Sequence, residues 1–307
     1  MDFPLSQPSL EDRLKSGAFA LTAEIVPPLS CDPEDLLKKA RPLAGLADAV
    51  NVTDGAGANV HLAAVTAAAL LRQAGIEPIL QLTCRDRNRI ALQSELIAAP
   101  AVGVRNVLLL TGDKPDAGDQ PDAKPVFDLD SQTLMTTARM LRDEGKLPSG
   151  RKVAGSAPFF IGAADLPIDP PAGWKPDGLR RKIAAGAQFV QTQFCMDAGV
   201  ARRYAARLAD EGVDTFLLIG VAPLRSARSA HWMRKHLFGT IIPDAIVHRL
   251  EQAADPAAEG RRVCVELLAE LAEIKGVAGA HIMAPNNEAA VPEVMAAARN
   301  TIRRAQA

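Results

Sequence analysis

The sequence predicts an α/β protein folded as a single (β/α)8 barrel of the TIM type. Three observations point there. Strand-like and helix-like stretches alternate from end to end in roughly eight units, the pattern of a parallel sheet with right-handed crossovers. Several strand stretches are unbroken apolar runs, such as NVLLL (106–110), which suits parallel strands buried on both faces. These runs then end in polar residues on the same, C-terminal side, as in NVTDG (51–55), LQLTC (80–84) and LLLTGD (108–113).

AFALTAEIVPP (18–28) reads as the first strand and DPEDLLKKARPLAGL (32–46) as the first crossover helix. Asp32 suits its N-cap, Pro33 its first position, and Glu34 and Asp35 complement its dipole. ADAVNVTDG (47–55) is a strand, and HLAAVTAAALLRQAG (61–75) a helix closed by Gly75. EPILQLTC (77–84) is the third strand, followed by helix RNRIALQSELIAAP (87–100), stopped by Pro100. VRNVLLLTGD (104–113) is the fourth. Residues 114–130 are rich in Asp, Pro and Gly and form a loop long enough to be functional or mobile.

Helix SQTLMTTARMLRDEG (131–145) precedes a strand within 152–165, a loop at 169–176, and a helix starting after Asp177. FVQTQFCMD (189–197) is a strand, AGVARRYAARLADEG (198–212) a helix, and DTFLLIGVAPL (214–224) a strand. Residues 226–276 carry two or three helices, GAHIMAPNN (279–287) the last strand and 288–305 the closing helix. The barrel is expected to occupy 1–307, with 1–16 as an N-terminal extension. A doubly wound open sheet is the alternative, but no GxGxxG fingerprint follows the first strand.

A formal net charge of -1 argues against nucleic acid or a membrane surface as partner. No apolar stretch reaches the roughly 18–20 residues that span a bilayer, and no signal-peptide pattern opens the chain, so a cytoplasmic location is expected. Cys31, Cys84, Cys195 and Cys264 form no CxxC pair and are expected to be small buried hydrophobes. The histidines show no metal-ligand spacing: His231 and His236 lie five apart, and His61 reads as a loop or cap residue. Neither a GxSxG elbow nor a Walker A loop is present, so no metal is expected.

The strand ends carry Glu24, Thr53, Asp54, Gln81, Thr83, Asp113, Asp165, Gln191, Gln193, Asn286 and Asn287. A barrel gathers such ends into one mouth, and polar groups buried there need partners or a ligand. Asp54, Asp165 and Asn287 read first as caps or loop hydrogen-bonders. Glu24 has no helix directly after it to cap, so it and Asp113 read as functional carboxylates suited to proton transfer. Without a metal, such a pocket often leaves the hard chemistry to an organic cofactor.

From about Leu21 to Arg304 the chain resembles the methylenetetrahydrofolate reductase family. The resemblance is carried by AEIVPP (23–28), ADAVNVTDGAG (47–57), LQLTCRDRNRIALQSELIAA (80–99), VRNVLLLTGD (104–113), LRRKIAAGAQFVQTQF (179–194) and the last strand. It implies a (β/α)8 barrel that reduces 5,10-methylenetetrahydrofolate to 5-methyltetrahydrofolate, with hydride from NADH or NADPH usually passing through FAD. By resemblance Glu24 is the general acid that opens the five-membered ring, Asp113 lies between flavin and pterin, and Gln193, with Gln191 on the same strand face, contacts the pterin. The implied cofactor contacts are Thr53, Gln81, Thr83 and Thr111, with Gly112, Ala164, Asp165 and Lys182. The flavin set is only partly kept, because the family's flavin-contacting Arg is Thr111 here and a family His is Gln81. FAD, FMN, or direct hydride transfer without flavin all stand, as does a folate-binding barrel subunit served by a separate electron-transfer partner. No ribose-reading motif separates NADH from NADPH, and a homo-oligomer is left open.

Overall fold

The structure, a computed structural model, describes residues 7–306. Eight strands form the wall: β1 (Ala20–Ile25), β2 (Ala49–Val52), β3 (Pro78–Thr83), β4 (Asn106–Leu110), β5 (Phe160–Asp165), β6 (Phe189–Phe194), β7 (Phe216–Val221) and β8 (Val277–Ile282). All neighbours are parallel, and β8 returns to β1 to close the barrel. The register sets Glu24 beside Asn51 and Thr22 beside His281.

The crossover helices are α2 (Pro33–Ala40), α3 (Ala64–Gln73), α4 (Arg89–Ala101), α5 (Ser131–Glu144), α6 (Asp177–Ala184) and α7 (Ala198–Asp210). After β7 come three helices, α8 (Ala227–His236), α9 (Asp244–Gln252) and α10 (Pro256–Ala272), and α11 (Val291–Gln306) ends the fold. Side-chain caps set many of the starts. Asp32 accepts from Glu34 N at 2.9 Å and Asp130 from Thr133 N at 2.8 Å, as Asp and Asn do at N-caps. Pro100 does not stop α4, which runs to Ala101; Gly103, at φ 79°, supplies the left-handed stop instead. A proline this near the end removes only one backbone bond. Helix α6 begins at Asp177 itself, with Pro176 ahead of it.

Two hydrophobic layers hold the wall. Outward residues such as Val50, Leu80, Leu109 and Ile161 pack under the helices. Inward residues Ile79, Leu108, Phe160, Phe189 and Leu218 fill the lower barrel, with Leu10 and Leu14 of α1 (Leu10–Lys15) closing it from below. Phe160 and Phe189 stack with centroids 4.9 Å apart, and Gly162 makes room: a Cβ there would lie 2.3 Å from the Phe189 ring. The described part of the expected 1–16 extension is thus a plug for the barrel floor, while residues 1–6 lie outside the described residues.

Loop 114–130 is tied down. Asp119 accepts from Val60 N at 3.2 Å, and Val126 N and Phe127 N donate to the carbonyls of Arg85 and Cys84 at 2.8 and 3.2 Å. Arg89 grips Asp128 with two bonds of 2.6 and 2.8 Å. Cys84, Cys195 and Cys264 are buried, but Cys31 is exposed, because it precedes α2 in a loop that packs no face on the core. Among the described residues no helix is long and apolar enough to cross a membrane, and no group of three or more His, Cys, Asp or Glu could hold a metal ion.

Candidate functional site

Strand parity builds the site. Successive inward positions are Thr22 and Glu24 on β1, Asn51 on β2, Ile79 and Gln81 on β3, Phe189, Gln191 and Gln193 on β6, and His281 on β8. Above the apolar floor, the next layer is polar: Thr22, Asn51, Gln191 and His281 are all at most 3 % exposed. Such a layer holds only because its members satisfy one another.

A cleft of about 430 Å3 opens above this layer at the C-terminal mouth, within the roughly 300–1,000 Å3 usual for small-molecule sites. Glu24, Gln81 and Gln193 line it beside Leu110, Lys182 and Met283. Glu24 Oε2 accepts from Gln81 Nε2 at 2.9 Å and lies 3.7 Å from His281 Nε2. Gln193 Oε1 accepts from Phe194 N at 3.0 Å.

On the opposite wall, Lys182 Nζ donates to the Ala164 carbonyl at 2.5 Å and sits 3.6 Å from Asp165 Oδ1. Tyr204 OH donates to Asp165 Oδ2. Burial, and then the Asp165 charge, push the Tyr204 phenol far up, so it stays a donor. Asp165 is therefore neither a cap nor a loop residue: it is the anchor of a Tyr–Asp–Lys wall.

The structure brings together Glu24, Gln81, Ala164, Asp165, Lys182, Gln191 and Gln193. Gln191 lines the floor, but the contacts expected of it with substrate do not form freely: both ends of its amide are held by Asn51, and its Nε2 also reaches Thr22. Thr53, Thr83, Thr111, Gly112 and Asp113 are not among the residues lining this cleft. Thr83 N and Oγ1 both donate to Asp54 Oδ2, at 2.7 and 2.9 Å. Asp54 in turn takes Arg87 bidentately, at 2.7 Å to each oxygen, so it is a structural clamp. Thr111 Oγ1 accepts from Ser131 N, and Gly112, at φ 91°, has Thr83 3.0 Å from where a Cβ would be. Thr53 Oγ1 is buried and has no partner among the described residues. Asp113 is exposed on the rim, where its charge adds to those of Asp86 and Asp54 in pushing the Arg85 guanidinium up, the Asp86 hydrogen bond contributing most.

Sequence reasoning missed His281, Asn51 and Tyr204. The first two were accessible by parity: His281 lies in AGAHIM and Asn51 in AVNVT, polar residues at inward positions of otherwise apolar runs. Tyr204 lies on α7, so only the tertiary fold brings it to Asp165.

A family model described as methylenetetrahydrofolate reductase matches residues 9–299. A probable methylenetetrahydrofolate reductase (NADPH) from Caenorhabditis elegans is 27% identical over 75% of this chain and 33% of its own length. A 5,10-methylenetetrahydrofolate reductase from Pectobacterium carotovorum subsp. carotovorum is 27% identical over 68% of this chain and 65% of its own. The chain thus spans about a third of the nematode relative and under two thirds of the bacterial one. Among solved structures, an uncharacterized protein from Clostridium thermocellum, described as binding two copies of 5-methyl-5,6,7,8-tetrahydrofolic acid, superposes with a TM-score of 0.67. It is 12% identical, with 96% of this chain and 99% of that one covered, and shares the fold.

Proposed function

The chain belongs to the methylenetetrahydrofolate reductase family, and on that footing we propose that it reduces 5,10-methylenetetrahydrofolate to 5-methyltetrahydrofolate with NAD(P)H, Glu24 acting as general acid. The observation that carries the reading is the Glu24 carboxylate in a cleft of ligand size, one oxygen held by an amide donor, while the other lining carboxylate, Asp165, is tied to Tyr204 and Lys182. Glu24 gives its proton to the folate nitrogen that leaves when the five-membered ring opens. The bridging carbon, now an iminium on the other nitrogen, accepts hydride and becomes the methyl group. The nicotinamide is oxidised to NAD(P)+, and solvent returns the proton to Glu24, so one proton is consumed per turnover.

Gln193, lining the cleft beside Glu24, suits the amide edge of a pterin, whereas Asp113 is exposed outside the cleft lining. Lys182, next to the Asp165 carboxylate, supplies the cationic group of the far wall.

The residues inherited for a flavin do not form one cradle here. Thr53 Oγ1, buried and unpartnered, and Lys182 suit a cofactor. The Thr83 and Thr111 hydroxyls are engaged within the protein, however, and Gly112 is packed on Thr83. No step above is therefore routed through a flavin. The reading is tested by incubating the purified full chain anaerobically with methylenetetrahydrofolate and NADH or NADPH, following nicotinamide oxidation and identifying 5-methyltetrahydrofolate. A visible spectrum of the same sample reports any flavin. Product formed by a colourless protein means direct hydride transfer, and no product with either nucleotide refutes the assignment.

A further inference from the structure

The polar groups of the cleft floor favour one tautomer of His281. The Asn51 and Gln191 amides pair head to tail: Asn51 Nδ2 donates to Gln191 Oε1 at 2.6 Å, and Gln191 Nε2 donates back to Asn51 Oδ1 at 3.0 Å. This orientation aims Gln191 Nε2, which can only donate, at Thr22 Oγ1 (3.1 Å) and His281 Nδ1 (3.3 Å). Thr22 Oγ1 then has its own hydrogen for His281 Nδ1 at 3.0 Å, or for the Ala280 carbonyl at 3.4 Å. With the amides so oriented and the Thr22 hydrogen turned to the ring, donors meet Nδ1, an arrangement that suits a bare Nδ1 and a neutral ring carrying its hydrogen on Nε2. Nε2 faces Glu24 Oε2, the same oxygen that accepts from Gln81.

We propose that Asn51, Gln191 and Thr22 make His281 a positioning residue for Glu24: held as the Nε2–H tautomer, His281 joins Gln81 in presenting N–H groups to Oε2 and leaves Oε1 to carry the acid proton. The proposal deepens the reading of Glu24 as general acid and rests on it. As the proton leaves Oε1, negative charge spreads to Oε2, where donors already in place meet it with little reorganisation. The opposite tautomer would turn a lone pair on Oε2 and draw the acid proton onto the ring, away from the cleft. The layer is buried: Thr22 and Asn51 are 0% exposed and His281 2%. A barrel filled for stability alone would use apolar residues at this level, as it does one layer below.

The test is 15N NMR of histidine-labelled full chain, with kinetics on the same preparations. His281 is assigned by the signal lost in His281→Gln. The wild type is expected to show a bare Nδ1 and a protonated Nε2. Gln191→Glu exchanges the donor facing Nδ1 for an acceptor, and should reverse the tautomer. His281→Leu should lower kcat on the order of 10- to 10²-fold, the scale of a misplaced catalytic group, with KM for methylenetetrahydrofolate within about threefold. His281→Gln, whose amide can offer an N–H to Oε2, should recover most of that loss. Should Gln191→Glu fail to fold, the wild-type tautomer and the Leu/Gln pair still decide. A wild-type Nδ1–H ring, or an undiminished kcat in His281→Leu, overturns the positioning role while turnover persists. Absence of any turnover in the wild type instead overturns the functional reading on which the role rests.

Discussion

Glu24→Gln isolates the proton from the shape of the site. Glutamine is nearly isosteric, and its side-chain oxygen can still accept from Gln81 Nε2, which now meets Glu24 Oε2 at 2.9 Å. The cleft wall therefore keeps its form, and 5-methyltetrahydrofolate should bind within about threefold of wild type by calorimetry. What is lost is the only acid on this side of the cleft, the other lining carboxylate, Asp165, being held by Tyr204 and Lys182. General acids contribute roughly 10²- to 10⁴-fold, so turnover should fall at least about 10²-fold, or about 2.7 kcal/mol of barrier. The assay is single-turnover formation of 5-methyltetrahydrofolate with saturating NAD(P)H, which keeps product release out of the measurement. Turnover within about threefold of wild type, with binding intact, would refute the assignment of the proton to Glu24.

Three further outcomes follow from groups away from the chemistry. Asp54→Ala leaves Arg87 and two Thr83 donors without their acceptor, and should cost about 3–5 kcal/mol in urea unfolding, the range for breaking a buried pair. Burial pushes the Glu77 carboxyl above its ordinary 4.5. Its contribution to stability is thus fully present below that value and lost as pH rises through the raised one. Glu77→Gln should remove this downward slope from a melting-temperature profile over weakly acidic to neutral pH, and an unchanged slope would show that Glu77 is not its source. Burial pushes Cys84 and Cys195 up to about 11 and Cys264 up to about 12, whereas Cys31 is exposed. An aromatic disulfide reagent should therefore titrate Cys31 promptly in the native chain and all four thiols only after denaturation; prompt reaction of a second native thiol would contradict the burial.

The barrel was legible because its signal is repetitive. Apolar runs, the Asp cap at 32 and glycines at helix ends recur in phase along the chain. Sequence also singled out Glu24, since a carboxylate inside an apolar strand with no helix to cap has few structural duties. The partners of that carboxylate were harder to see. Gln81 and His281 are 200 positions apart and meet Glu24 only through barrel closure, with β3 two strands away and β8 sealed to β1. Asp54 was read correctly as structural, but its partner Arg87 lies beyond the next strand, where spacing gives no cue.

The motif-derived residues of the mouth divide by the partners each already has, beside loop 114–130. Its backbone donates to the carbonyls of Arg85 and Cys84, its Asp119 takes Val60 N, and its Asp128 holds Arg89. Beside it, Thr83 is held by Asp54 and the Thr111 hydroxyl by Ser131 N, partners that lie outside the loop. The cleft is lined from β1, β3, β4, β5, β6 and β8, and there Glu24, Gln193 and Lys182 face the same space. A buried polar group that is already satisfied gains little from a ligand, whereas one at an open cleft exchanges water for a fixed partner. A motif match along β2 to β4 records common descent, and the hydrogen bonds each residue already makes decide whether it is still free to bind.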